Sequence, residues 1–135
     1  MIDKCIQMGF DVEVDIRFHQ DEQEFLLGHD QGEYVVSLDW LLDRKSSLWI
    51  HCKDSGSILQ LSEKAQDLNF FWHNDDKYTM TNKGFIWSYP GNPVNGIGVI
   101  VMPEWTWDNL EKQQIPACYG ICTDYPIKIR GLFGL

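Results

Sequence analysis

Three short segments alternate apolar and polar residues and then end on charge, and this pattern constrains the fold more than any other feature of the chain. In 12-VEVDI-16 the Val and Ile side chains fall on one face of a strand and Glu13 and Asp15 on the other, because successive strand side chains point to opposite faces. In 48-LWIHCKD-54, Leu48, Ile50 and Cys52 oppose Trp49, His51 and Lys53; in 70-FFWHND-75, Phe70 and Trp72 oppose Phe71, His73 and Asp75. The polar groups gather toward the C-terminal end of each strand, and Glu104 and Asp124 close two later strands in the same way. Charged side chains collected at the C-terminal ends of parallel strands are the sequence pattern of a (β/α) barrel active site. The expected fold is therefore α/β, a reduced or incomplete TIM-type barrel with few short helices.

Strands are expected near 10–18, 24–29, 48–53, 69–74, 85–89, 97–102 and 119–124, with a short pairing strand near 78–81. Helical spacing of Ile58, Leu59, Leu61, Ala65 and Leu68 predicts a helix over 56–68. A Thr cap with acids in the first turn predicts another over 106–114, and a shorter turn of helix is expected over 37–44. This order favours a largely parallel sheet. The GIG of 96-GIGVIV-101 lacks a third glycine and leads into a strand, so it is not a dinucleotide loop.

With 135 residues, 44% of them apolar, the chain suits one domain over 1–135. Its net charge of -9 argues against nucleic-acid or anionic-membrane binding through basic residues. An anionic substrate would need local help, and a divalent cation is the simplest source of it. The longest apolar run, 97-IGVIVMP-103, is too short to span a bilayer, and the start MIDK lacks a signal-peptide layout. The expectation is a soluble, cytoplasmic protein with no transmembrane segment. Cys5, Cys52, Cys118 and Cys122 lack the spacing of a zinc site and are expected as reduced thiols.

The segment FDVEVDIRF…FLLGHD resembles the Glu-x-Asp, then His-Asp, core of the glycerophosphodiester phosphodiesterase family, within the phosphatidylinositol-specific phospholipase C-like superfamily. LWIHCK resembles its third-strand segment and 120-GICTDYP-126 its last strand. The resemblance implies metal-dependent cleavage of a small phosphodiester. It implies Glu13 and Asp15 as metal ligands, with His51 standing where a ligand glutamate is usual, and His29 and Lys53 as catalytic groups. Substrate-binding candidates are Lys53, His73, Trp87 and Tyr89. The implied cofactor is Mg²⁺ or Ca²⁺, with a softer divalent metal as the alternative because His51 offers nitrogen. Family members open with a His-Arg strand that supplies a first catalytic histidine. Residues 1–10 resemble the helix after it, so the chain is expected to be N-terminally truncated relative to the family, impaired in catalysis, and prone to self-association through open barrel edges.

Other readings of the same residues stay open. Glu13 and Asp15 suit the solvated face of an edge strand, Lys53 an exposed lysine, His19 a solvated turn and His73 a hydrogen-bonded structural role. Trp87 and Tyr89 suit core packing as well as a substrate mouth. At the level of function, the alternatives are a non-catalytic phosphate- or metal-binding module and a small acidic, inhibitor-like interaction protein.

Overall fold

The computed structural model describes residues 1–112 and 115–135, and the chain divides into two compact units, Met1–His73 with Thr81–Lys83, and Asn74–Met80 with Gly84–Leu135. The first contains α1 (Ile2–Gln7), β1 (Val12–His19), β2 (Glu24–Leu27), β3 (Tyr34–Val36), α2 (Leu38–Leu42), β4 (Leu48–Cys52), α3 (Ser55–Lys64) and β5 (Asn69–Trp72). Its five-stranded sheet runs β3-β2-β1-β4-β5. β4 is parallel to β1 and β5, whereas β2 is antiparallel to both of its neighbours.

The alternation in the sequence builds this sheet's core. Val14, Ile16 and Phe18 share a buried face with Phe25, Leu27, Leu48, Ile50, Cys52 and Phe70, and Leu41, Leu61, Ala65 and Leu68 pack against them from the helical segments. Each fully buried aliphatic side chain contributes about 1.5–3 kcal/mol. Asp54 starts α3: one carboxylate oxygen accepts from Ser57 N–H at 2.7 Å, while the other accepts from Phe18 N–H at 3.0 Å beyond the end of β4. An N-cap of this kind contributes about 1 kcal/mol. Ser37 caps α2 by accepting from Trp40 N–H. Burial pushes the Cys52 thiol up to about 12, so it stays protonated.

The second unit contains β6 (Tyr78–Met80), β7 (Ile86–Ser88), β8 (Gly98–Val101), α4 (Pro103–Thr106), a 3-10 turn at Leu110–Lys112, β9 (Gly120–Cys122) and α5 (Pro126–Phe133). Its sheet runs β6-β7-β8-β9, with the first pair antiparallel and the others parallel. Trp87, Val99, Ile100, Val101 and Ile129 are buried. The Ser88 hydroxyl donates to the Val99 carbonyl at 2.7 Å, stitching β7 to β8.

The TIM-type barrel expected from the strand ends is not formed. Two open, mixed sheets of five and four strands replace it, and strands outnumber helices. The physical reason lies in β1. Val12–Ile16 pair with β4 on one edge and Ile16–His19 pair with antiparallel β2 on the other, and β3 extends the sheet beyond β2, so over the second half of β1 the edge that a parallel barrel strand would need is occupied. The expected free edge at 10–18 is accordingly an interior strand of its sheet, while β9 ends the other sheet. The helix expected over 106–114 is also corrected: helix covers only Pro103–Thr106, Trp107–Asn109 leave it, a 3-10 turn follows, and residues 113–114 lie outside the described residues. Asn109 explains part of this, because its side chain accepts from Glu111 N–H and favours a turn over a continued helix. The helix expected over 56–68 ends at Lys64. Among the described residues no helix is long and apolar enough to cross a membrane.

Candidate functional site

Glu13 and Asp15 leave β1 on the face opposite the core. The parallel register sets Glu13 beside Trp49 and Asp15 beside His51 on β4. His51 Nδ1 lies 3.1 Å from Asp15 Oδ1 and 3.7 Å from Glu13 Oε1. One ligand atom from each of Glu13, Asp15 and His51 falls within 4.8 Å of the others. Lys53, just past the end of β4, brings Nζ to 3.8 Å from Asp15 Oδ1. His29 Nδ1 approaches the other oxygen, Asp15 Oδ2, at 3.0 Å. The other four site residues singled out from the sequence, Glu13, His29, His51 and Lys53, thus gather around Asp15.

The hydrogen bonds settle the orientation of both imidazoles. His51 Nε2 lies 2.8 Å from the carbonyl oxygen of His73, which can only accept, so Nε2 carries the proton. Nδ1 then faces two carboxylate oxygens. Two ionised carboxylates would repel a lone pair placed there, a repulsion that a proton shared with Glu13 or a cation among the three groups would relieve. A histidine whose far nitrogen donates to a backbone carbonyl is also how metal-ligating imidazoles are held. Phe71 stacks on the His51 ring at 5.0 Å and limits its rotation. In His29, Nδ1 donates to Asp15 and leaves Nε2 on a side chain that is 86% exposed.

Two residues not singled out from the sequence hold His29 in place. Gly28 sits at φ +146°, and a Cβ there would come within 2.9 Å of the Glu33 nitrogen, a backbone atom that has no room to yield. Arg17 donates from Nη1 to the Gly28 carbonyl at 2.6 Å and from Nη2 to the His29 carbonyl at 3.0 Å. Arg17 follows Glu13 and Asp15 at two-residue steps, and that continued alternation is the signal that could have found it.

The electrostatics separate the two acids. Burial, reinforced by the Asp15 charge, raises Glu13 to about 7 against the pull of His51, Lys53 and His29. Asp15 also meets a burial penalty, but the His51 hydrogen bond, the Lys53 charge and the His29 bond outweigh it and hold the carboxyl below its ordinary range. Near neutral pH, Asp15 is ionised while Glu13 is shared between its two forms, a state that a bound cation would shift toward the carboxylate.

The remaining candidates fall elsewhere. His73 enters the site through its main-chain carbonyl. Trp87 and Tyr89 belong to the second unit, the former 6% and the latter 45% exposed. His19 is exposed and lies 3.6 Å from Glu22. Comparison with protein-family models, curated proteins and solved structures finds no match to this chain.

Proposed function

We propose that the first unit is a metal-dependent phosphodiester hydrolase of the glycerophosphodiester phosphodiesterase type. The observation that carries this reading is the placement of His51, whose Nε2 is held against the His73 carbonyl so that Nδ1 is aimed between Glu13 and Asp15. Two carboxylates and one imidazole fit a divalent ion, and their mixed oxygen and nitrogen donors suit Mn²⁺ or Zn²⁺ better than Ca²⁺. Three protein ligands leave positions for water and substrate. Glu13, Asp15 and His51 would hold the ion, which when bound supplies Lewis-acid polarisation of the phosphoryl oxygens.

The chain's own groups do the rest. Lys53 pairs its ammonium with a phosphoryl oxygen next to Asp15. Asp15 accepts the His29 Nδ1 proton and so directs Nε2 outward, toward the substrate. In hydrolysis the water oxygen bonds to phosphorus while an ester P–O bond breaks. The water's proton passes to solvent, and His29 delivers its Nε2 proton to the leaving alkoxide, giving an alcohol and a phosphomonoester. A positioned general acid of this kind contributes about 10²–10⁴-fold.

Turnover of bis(p-nitrophenyl) phosphate with added Mn²⁺ tests the proposal. His29→Gln is expected to lower kcat by at least about 100-fold while Mn²⁺ affinity falls by no more than about tenfold, through loss of the hydrogen bond to Asp15. Mn²⁺ binding without turnover in the wild type would instead identify a non-catalytic metal-binding module. Turnover that is indifferent to His29→Gln would refute the assigned acid.

A further inference from the structure

Beside the site lies a pocket of about 640 Å³ formed wholly within the first unit. Ile2, Val14, Leu27, Val36 and Trp40 provide its apolar wall, and Asp15 and His29 line it as well. This volume is of the size that binds small organic ligands. Its wall is braced from outside. Arg44 lies over the Trp40 ring at 4.1 Å and donates to the Trp40 carbonyl at 3.0 Å. The same guanidinium makes a two-point contact with Asp3, Nε to Oδ1 at 2.7 Å and Nη2 to Oδ2 at 3.2 Å, which ties α1 to the turn after α2. Planar two-point pairs of this type fix geometry as well as adding energy. The pocket is therefore a braced apolar recess whose polar residues include the acid–base pair Asp15 and His29.

Resting on the hydrolase reading above, we propose that this recess seats an apolar arm of the substrate, so that the substrate class is an anionic phosphodiester bearing one alkyl or aryl substituent. A wholly polar ester would leave the recess filled with water against apolar walls. An apolar arm displaces that water while Lys53 and the metal ligands hold the phosphoryl group beside His29. Because Asp15 and His29 belong to both the recess and the cluster, the ester oxygen next to the arm is the one His29 can protonate.

The test is calorimetry in Mn²⁺ with methyl, butyl and hexyl esters of methylphosphonic acid, slow-reacting mimics of the phosphodiester anion. Affinity is expected to rise about fourfold per buried methylene, on the order of 1,000-fold from methyl to hexyl. Trp40→Ala should remove most of that increment and leave the methyl ester unaffected. Tyr34→Ala guards against misfolding of the first variant, because Tyr34 lines the recess with a side chain that is 66% exposed, and it should weaken hexyl binding at least fivefold. Equal affinity for all three esters overturns the proposal while leaving the hydrolase reading intact. Hexanol binding as tightly as the hexyl ester, with no response to Asp15→Asn, overturns the proposal and the hydrolase reading together.

Discussion

Asp15, midway along β1 in the first unit, and Glu104, in α4 just after β8 in the second, are both acids carried by or close to a strand, yet their oxygens do different things. Those of Asp15 meet His51, Lys53 and His29, all side chains that can exchange protons or pair with a ligand. Glu104 Oε1 accepts from the Thr123 hydroxyl at 2.9 Å and from Asp124 N–H at 2.8 Å, and so ties α4 to the segment after β9. A carboxylate that accepts from backbone is structural cement. A carboxylate surrounded by ionisable side chains is available for chemistry. The position of an acid along a strand therefore says little until its partners are known.

The contrast is sharpest in metal binding. Asp15→Asn is expected to weaken Mn²⁺ about 100-fold, at the top of the range seen when groups merely supporting a ligand are lost, whereas Glu104→Gln should leave affinity within twofold. Calorimetry on the two variants decides it, and equal losses would break the distinction between the units.

A smaller effect concerns pH. Glu13 is raised from 4.5 in the unfolded chain to about 7 in the fold, so the folded state binds the extra proton across that window. Stability of the metal-free protein from this group is full below pH 4.5 and is lost as pH rises to 7. At about 1.4 kcal/mol per pKa unit, the loss is on the order of 3 kcal/mol. Urea midpoints in chelator should fall between pH 5 and 8, and Glu13→Gln should flatten the profile. A wild-type midpoint that climbs over this range, unchanged in the variant, would remove Glu13 as the buried acid. The smallest effect is expected from Glu104→Gln on stability, about 1 kcal/mol for weakening two hydrogen bonds to a charge. A loss larger than the pH effect of Glu13 would mean that the second unit depends on its cement more than the first does on its cluster.

Period-two alternation located β1, β4 and β5 and assigned the faces of β1, because side-chain direction in a strand is a local property, but in β5 it misjudged burial: Phe71 is 2% and Trp72 48% exposed. Strand pairing is not local. Nothing in 12-VEVDIRFH-19 says that the second edge of Ile16–His19 will be taken by antiparallel β2, and the barrel expectation failed at that point. β3 escaped notice because three residues, Tyr34–Val36, are too few to show a period, and α5 because Pro126 at its start reads as a turn. In the site, Glu13, Asp15, His29, His51 and Lys53 were recognisable as side chains of suitable chemistry. The His73 carbonyl was not, since every residue carries one and only the fold aims it at His51.

Cys52 carries a consequence for measurement. Its thiol is 1% exposed and stays protonated, whereas Cys5, Cys118 and Cys122 are each partly accessible. An alkylating reagent therefore meets three reachable sulfurs and one sealed in the first unit's core. The slow modification event is a stopwatch for the opening of that unit, set by nature at its centre and needing no engineered probe. Each opening it counts also opens the strand that carries His51, so the same clock reports how often His51 leaves Glu13 and Asp15.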